Sequence, residues 1–456
     1  MTPGTAKVHA VIRVVVVFLA VLAAAGCAST GNPSSGGATS SAASAPTREV
    51  LPNGVVLIGH DHRASDVVAL QLWVRVGGRD EAPEELGLSH YLEHMLFKGT
   101  PTRPPGAIDR LIEGLGGRSN AFTSYDFTHY DVVVPAAHVA TGLELLADIA
   151  MNANFPVDEL EREKQVVFEE MRLSQDDPEL FLSRRLSETV YAGHPYGRPI
   201  LGTRELVASL TRERLDAYYR KHYVPSNMVL VAVGPVPHAE LRPLVDRTFG
   251  RLRGPAPPPR AAVPVPPLTE RRADDVRRPE QQAYLGLSWQ AAAVASEDVF
   301  AVDLLTYILG DGPASRLNQV VREERGLVAA IEASFIARER SGFVSVTSRL
   351  EPGRLAEAEA AGLEVVGRVR KEGVTEAERA RVLVTAESFY AFDIETAEGL
   401  ARSYGQAETT WTLADELAYL DRLRKVTAAE IQAAARTYLR DEAYARVRFL
   451  PAQASR

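Results

Sequence analysis

The chain has almost no cysteine, and this lack limits how it can be stabilised. Only one cysteine is present among 456 residues, so no disulfide can form within a chain and stability must come from packing. Basic residues are not in excess either. The 51 Lys and Arg are outnumbered by 59 Asp and Glu, and the net charge of -8 argues against nucleic acid as a partner. With 46% hydrophobic and 24% charged residues, the composition is that of a folded protein of about two to four domains.

The apolar run near the N-terminus is too short to cross a bilayer comfortably. It covers Val14 to Ala25, follows the basic residues Lys7 and Arg13, and is typical of a signal-peptide core. The run leads into Ala24-Ala25-Gly26-Cys27, which resembles a bacterial lipobox. We therefore expect residues 1–27 to be a lipoprotein signal peptide that ends at a lipidated Cys27. The alternative is an ordinary secretory signal with an incidental cysteine.

Residues 28–47 are small, polar and almost uncharged, which predicts a flexible tether between lipid and folded body. Ala28 follows the cysteine, where an aspartate would hold a lipoprotein in the inner membrane. We expect a lipid-anchored protein of the bacterial cell envelope. If the host has two membranes, the predicted location is the outer membrane, facing the periplasm.

A proline-rich stretch divides the rest of the chain. Residues 254–268 contain seven prolines and predict a semi-rigid linker, and the strand–helix–strand order before it begins again after it. The sequence therefore predicts an α+β fold with two homologous α/β-roll domains, each an antiparallel sheet with flanking helices. The N-terminal domain would cover residues 48–253, and the C-terminal one residues 269–456.

The chemistry is concentrated in one short segment of the first half. Leu86 to Phe97 has helical periodicity, so His90 and His94 lie on one face and can reach the same metal ion. Glu93 lies beside them, where a carboxylate can take a proton from a water that zinc brings to a pKa of roughly 7. This is the H-x-x-E-H order, the reverse of the commoner zinc-protease motif.

A catalytic zinc site normally needs a third protein ligand. The predicted helix from Val157 to Ser174 offers Glu163 and Glu170, which lie within about 20° of each other at the edge of its apolar stripe. Glu169 is expected to point into solvent. Because an unpaired buried charge is costly, the two carboxylates need a metal ion or a basic side chain as partner. Ion pairs with nearby Lys or Arg are the alternative interpretation.

The combined motifs point to one family. HYLEHMLFKGT, followed by EREKQVVFEEM with Glu170 seventy-six residues after His94, resembles the pitrilysin/insulinase family of zinc peptidases, nearest its mitochondrial-processing-peptidase-like branch. Similar segments extend from residue 50 to 450. The resemblance implies one zinc ion per chain held by His90, His94 and Glu170, Glu93 as catalytic base, and Glu163 as a supporting carboxylate. Manganese or cobalt would also suit such ligands in vitro.

The resemblance also implies a substrate-binding strand and a contribution from the second half. Asn120, Ala121 and Phe122 resemble the family's edge strand, on which an extended peptide adds as a further strand. Active relatives carry an arginine and, seven residues later, a tyrosine that hold substrate and the developing oxyanion. Here Arg322 is present but Ala329 occupies the tyrosine position.

We therefore expect a zinc metalloendopeptidase that cleaves peptides or unfolded segments in extended conformation. The missing tyrosine predicts a heterodimer with a homologous zinc-less subunit that carries Arg and Tyr, with a homodimer as the fallback. Two other classes stay open: a weak or inactive scaffold subunit of an envelope complex, and a zinc-storage lipoprotein. The latter would not need Glu93, and a scaffold has little reason to keep the full set of site residues.

Overall fold

The computed structural model describes residues 45–452. The expected signal peptide, the lipidated Cys27 and nearly all of the tether lie outside these residues. Within residues 45–452, none of the helices is both long and apolar enough to cross a membrane.

The first half contains a six-stranded sheet with β4 at one edge. In spatial order the strands run β1-β2-β6-β3-β5-β4; β2 and β6 are parallel and the other neighbours antiparallel. β4 is therefore an edge strand, paired on one side only. The strands are β1 (Thr47–Val50), β2 (Val56–Asp61), β3 (Val67–Val74), β4 (Arg118–Thr123), β5 (Thr128–Pro135) and β6 (Met228–Gly234).

Helices cover one face of this sheet and build the larger core of the first half. Alternate residues of β3 and β5, such as Leu70, Leu72 and Val132, are fully buried beneath them. The helices are α1 (Leu88–Leu96), α2 (Ala107–Gly114), α3 (Val139–Asn152), α4 (Val157–Asp176), α5 (Pro178–Val190), α6 (Arg204–Ala208), α7 (Arg212–His222) and α8 (His238–Arg247).

The second half contains a five-stranded sheet in the order β7-β11-β8-β10-β9. β7 and β11 are parallel and the other neighbours antiparallel. Strands β2 to β6 of the first sheet follow the same order and directions, so the predicted duplication is confirmed. The strands are β7 (Arg272–Arg278), β8 (Ala283–Ala291), β9 (Ala330–Ala337), β10 (Gly342–Leu350) and β11 (Ala445–Pro451).

The helices of the second half follow the same plan with one irregularity. The sequence predicts an α-helix at residues 315–324, but Asn318–Glu324 forms a π-helical segment. The regular helices are α9 (Val299–Gly310), α10 (Leu355–Glu372), α11 (Glu376–Asp393), α12 (Ala397–Thr410), α13 (Leu413–Leu417), α14 (Tyr419–Lys425) and α15 (Ala428–Tyr438).

The two halves exchange helices across their junction. α5 of the first half packs on β8 and β11, and α12 of the second half packs on β3 and β6. Each crossing depends on a glycine. A Cβ at Gly286 would lie 2.7 Å from the Leu186 side chain, and one at Gly405 would lie 2.0 Å from the Trp73 indole nitrogen. The linker, residues 254–268, contains no helix or strand.

Two strands lie where the sequence did not predict them. β1 begins at Thr47, inside the predicted tether, and pairs with β2. β7 has the sequence RADDVRR, whose alternate residues are exposed, and pairs with β11. Both are edge strands, held mainly by backbone hydrogen bonds, so neither needs the apolar alternation by which strands are recognised.

Seven histidines have no metal-ligand spacing in the sequence, which predicts that they are surface or loop residues: His60, His62, His129, His138, His194, His222 and His238. His60, His129 and His222 lie in β2, β5 and α7 and are each less than 9% exposed, so the prediction was wrong for these three. His194 is buried as well but lies in a loop, as predicted. Each of these four packs against an aromatic ring; for example, His129 stacks on Trp73 with 4.4 Å between ring centroids. An imidazole can pack against aromatic rings, so these histidines can be buried without binding a metal ion.

Candidate metal centre

Helix α1 presents its three polar side chains because its apolar residues are turned into the core. Tyr91, Leu92 and Met95 are fully buried, which leaves His90, Glu93 and His94 on the side away from the core. With no proline and the apolar residues at helical spacing, the segment forms the predicted helix, two residues shorter at its N-terminal end and one at its C-terminal end.

The first turn of α1 is fixed by a buried carboxylate. Glu81 accepts hydrogen bonds from the backbone N–H groups of Gly87 at 2.9 Å and Ser89 at 2.7 Å. A helix leaves its first N–H groups without internal partners, and the Glu81 carboxyl group accepts from two of them. Burial outweighs these bonds and raises the pKa of Glu81 to about 8. Gly87 has φ of 91°, a left-handed conformation that glycine adopts without strain. Glu81 therefore holds the start of the helix that carries the histidines.

Helix α4 brings the predicted carboxylates to α1. Leu160 and Val167 are buried in the core, and the Tyr91 hydroxyl donates to the Leu160 carbonyl, which ties the two helices together. Glu163 is 7% exposed. Glu169 lies on the opposite side, has a side chain that is 54% exposed, and pairs with Arg172. The structure thus places Glu163 toward the histidines and Glu169 toward solvent, as the helical spacing predicts.

His90, His94 and Glu170 converge on one point. Their ligand atoms all lie within 4.8 Å of one another. Glu170 Oε2 is 3.5 Å from His90 Nε2 and 3.3 Å from His94 Nε2. Donor atoms of a tetrahedral ion with bonds of about 2.0–2.1 Å are about 3.4 Å apart, so these separations suit zinc. Glu170 Oε2 is also buried and has no hydrogen-bond partner among the described residues. The three side chains fit a divalent metal ion.

The electrostatics of the pocket favour a cation there. Burial opposes a positive charge on His94, but the hydrogen bond to Glu163 and the close contact with the Glu170 carboxylate outweigh it and raise the pKa of His94 to about 10. Burial likewise opposes ionisation of Glu170, yet its contacts with His94 lower the pKa of this carboxyl. Burial lowers the pKa of His90, which favours the neutral form that ligates metals. A divalent ion bound there can supply the positive charge that His94 would otherwise acquire by taking up a proton.

The carboxylate of Glu163 orients one histidine from behind. Its Oε2 lies 3.0 Å from His94 Nδ1, and its Oε1 lies 2.7 Å from Lys98 Nζ. Burial opposes the charge on Glu163, but the bonds to His94 and Lys98 lower its pKa, so it stays ionised. Such a carboxylate fixes the ring orientation and leaves Nε2 free for a metal. Lys98 was missed from the sequence, although it lies one helical turn after His94.

Glu93 lies beside this group without belonging to it. The hydroxyl of Thr123, at the end of β4, donates a hydrogen bond of 2.6 Å to Glu93 Oε2. Thr123 is 4% exposed, so the contact is shielded from bulk water. No sequence pattern predicts this contact, because the two residues are thirty positions apart and on different elements.

The residues predicted to bind substrate lie in two separate places. Asn120, Ala121 and Phe122 are on β4, whose outer edge has no strand partner within residues 45–452. Arg322 lies in the π-helical segment, is 46% exposed and pairs with Glu323. Among the described residues, no hydrogen bond or ion pair joins Arg322 to the metal-ligand group. Ala329 precedes β9 and bonds through its backbone to Arg349.

Comparison with known proteins agrees with this arrangement. Residues 55–204 match the family described as Insulinase (Peptidase family M16), and residues 209–383 match the one described as Peptidase M16 inactive domain. The chain is 32% identical to an uncharacterized zinc protease of Mycobacterium tuberculosis over 88% of this chain and 92% of that one. It is 31% identical to the uncharacterized zinc protease YmxG of Bacillus subtilis, over 73% and 80% of the two chains.

A solved structure shows the same fold. The crystal structure of a protease from Helicobacter pylori superposes with a TM-score of 0.84 at 23% identity, covering 89% of this chain and all of that one. Fold, matched families and relatives agree, and the chain belongs to the insulinase family of peptidases, family M16.

Proposed function

We propose that the chain is a zinc-dependent endopeptidase that cleaves peptides or unfolded protein segments bound in extended conformation. The observation that carries this proposal is the convergence of His90, His94 and Glu170 on one point, with Glu93 beside them. Zinc held there would polarise the scissile carbonyl and lower the pKa of a water molecule to about 7.

The protein's own residues supply the proton transfers. Glu93 is the proposed general base: it accepts a proton from the attacking water and passes it to the amine that leaves. The hydrogen bond from Thr123 restrains its carboxylate, so that the remaining oxygen can face the reacting atoms. Glu163 holds His94 in the orientation that a metal ligand needs. Lys98 pairs with Glu163 and offsets its negative charge.

Strand β4 supplies the proposed peptide-binding edge. Its free N–H and C=O groups can pair with the backbone of an extended peptide, so binding is largely tolerant of the peptide's sequence. β4 packs directly against α1, so a peptide added to this edge would pass beside His90 and Glu93. Residues alternate between the two faces of a strand, and Asn120 and Phe122 share the face opposite to Ala121. Folded proteins should be poor substrates because they present no free backbone.

The second half lacks a donor that active members of the family place near the oxyanion. Ala329 cannot donate a side-chain hydrogen bond, and loss of one such donor costs roughly 10²–10³ in rate. We propose that a homologous zinc-less subunit carrying arginine and tyrosine completes the site, while Arg322 contributes from this chain. We further propose that the complex is anchored in the cell envelope through Cys27.

Zinc content and peptide hydrolysis of the purified chain, alone and with a candidate partner, test this proposal together. We expect one zinc per chain and slow hydrolysis of an unstructured quenched fluorescent peptide, accelerated by the partner. Fast hydrolysis by the chain alone would contradict the need for a second subunit. A chain that binds no zinc and cleaves nothing would instead be a scaffold of an envelope complex.

A further inference from the structure

Four charged side chains from three parts of the molecule meet beside the β4–β5 turn. Arg79 follows β3, Asp126 lies in the turn between β4 and β5, Arg260 belongs to the linker, and Glu339 lies in the turn between β9 and β10. Arg79 is 8% and Asp126 2% exposed. We call these four residues the interdomain clasp.

Each residue of the interdomain clasp contacts at least two of the others. Glu339 Oε2 lies 2.7 Å from Arg79 Nη2 and 2.7 Å from Arg260 Nη1. Asp126 Oδ1 lies 3.1 Å from Arg79 Nη1, and Asp126 Oδ2 accepts a 3.1 Å hydrogen bond from the Glu339 backbone N–H. Arg260 also donates to the Asp126 carbonyl at 2.8 Å. A residue of the second half and one of the linker thus fix a turn of the first half.

The clasp reaches the candidate metal centre by two short routes. Asp126 is three residues from Thr123, the residue that bonds to Glu93. Arg79 is two residues from Glu81, which holds the first turn of α1. The two segments also bond to each other, because the backbone N–H of Arg79 donates to the Tyr125 carbonyl at 3.1 Å. The segment that leads into α1, which carries Glu93, and the turn that follows β4, which carries Thr123, therefore both contain a residue of the clasp.

We propose that the interdomain clasp positions the general base, so that the second half controls a site to which it contributes no metal ligand. Glu339 is the positioning residue that makes this connection. The proposal rests on the proposed peptidase function. The clasp reaches Thr123 and Glu93 through the β4–β5 turn, whereas α1 and its histidines are also held to α4 by the contact of His94 with Glu163 and the bond from Tyr91 to the Leu160 carbonyl. The clasp therefore acts on the orientation of Glu93 and Thr123 and leaves metal binding largely unaffected.

Glu339→Gln is the variant that isolates this role. It keeps the size of the side chain but removes the charge that joins the two arginines. Arg79 keeps Asp126 as partner, and Arg260 keeps Asp80 at 2.9 Å, so no arginine is left buried without a carboxylate. The matched control is Glu332→Gln, an exposed glutamate on β9 of the same hairpin. Among residues 45–452, its carboxylate accepts a hydrogen bond from Thr347 alone.

The test compares the full-length wild type with these two variants in kcat, KM, zinc content and amide hydrogen exchange. For Glu339→Gln we expect kcat to fall about ten- to a hundredfold with KM and zinc content little changed. Exchange should become faster in residues 77–87, which precede α1, and in residues 118–131, and stay unchanged in α4. Glu332→Gln should match the wild type in every measurement.

Three results would overturn the proposal: an unchanged kcat in Glu339→Gln, a loss of zinc that accompanies the fall in kcat, or an equal effect of Glu332→Gln. If the wild type itself hydrolyses no peptide, the proposed function has failed. Hydrogen exchange then still tests whether Glu339 holds the two segments in place. Unchanged exchange in residues 118–131 of Glu339→Gln would refute it, and faster exchange confined to the two segments would support it.

Discussion

The hydroxyl of Thr123 donates a hydrogen bond to Glu93 Oε2 at 2.6 Å, and this contact joins two functions in one place. Thr123 is the last residue of β4, the edge strand on which we propose that substrate binds. Glu93 is the proposed base on α1. A base must be held within hydrogen-bond reach of the proton that it accepts, and this bond fixes one of its two oxygens.

Thr123→Val tests this contact because valine keeps the shape of the side chain and removes the donor. We expect kcat for peptide hydrolysis to fall at least about tenfold, since misplacing a reacting group is costly, while KM changes little. Thr123→Ser, which retains the hydroxyl, serves as the control and should stay near the wild type. Steady-state kinetics of the three proteins decide, and a valine variant with wild-type kcat would show that the bond is incidental.

Adjacent glutamates on α4 provide a matched pair for the metal site. Glu170→Gln removes the charge of the proposed anionic ligand between the two histidines, and we expect zinc affinity to fall more than the about 10–100-fold typical of losing a supporting carboxylate. Glu169→Gln changes the same chemical group on the exposed face, where it contacts Arg172, and should bind zinc normally. Competition with a chromogenic chelator measures both. Equal affinities in the two variants would exclude Glu170 as a ligand.

Much of this site was predictable from the sequence, because helical periodicity relates His90 to His94 and Glu163 to Glu170. That the two helices meet followed only from the family resemblance. Contacts such as Thr123 to Glu93 and Arg79 to Glu339 depend on loop paths and on the packing of the two halves, which no local pattern encodes. Amphipathic and apolar elements were found, whereas the polar edge strands β1 and β7 were missed.

The pH dependence of stability tests an ion pair in the second half. Arg316 makes two hydrogen bonds of 2.7 and 2.9 Å to Glu378, and these bonds lower the pKa of Glu378 from 4.5 to about 2 despite partial burial. Since the folded-state pKa is lowered, the pair stabilises the protein fully above the unfolded pKa of 4.5 and is lost as pH falls toward about 2.

Glu378→Gln cannot ionise, so its deficit relative to the wild type should be constant from pH 7 to about pH 5 and shrink below that. Urea unfolding of the two proteins at pH 7, 5 and 4 measures the deficit. A difference in unfolding free energy that stays the same down to pH 4, or that grows on acidification, would contradict the assigned pair.

Two helical glycines should respond in opposite ways to replacement by alanine: Gly405, where α12 crosses the first sheet, and Gly367 in α10. Gly405→Ala would place a Cβ 2.0 Å from the Trp73 indole nitrogen and should destabilise the protein by at least about 1–3 kcal/mol. Gly367→Ala, in the interior of α10, meets no atom within 4 Å and should be neutral or stabilise by up to about 1 kcal/mol. Thermal unfolding separates them, and a Gly405→Ala protein as stable as the wild type would disprove the close packing of the two halves.

The most direct test of the whole account is peptide hydrolysis by Glu93→Gln, with bound zinc quantified in the same preparation. Because Glu93 is not among the converging side chains, we expect the variant to bind zinc as the wild type does and to lose turnover. His90→Ala, which removes a proposed ligand, should lose the metal as well. A Glu93→Gln protein that binds zinc and still cleaves the peptide at the wild-type rate would show that this carboxylate is not the base.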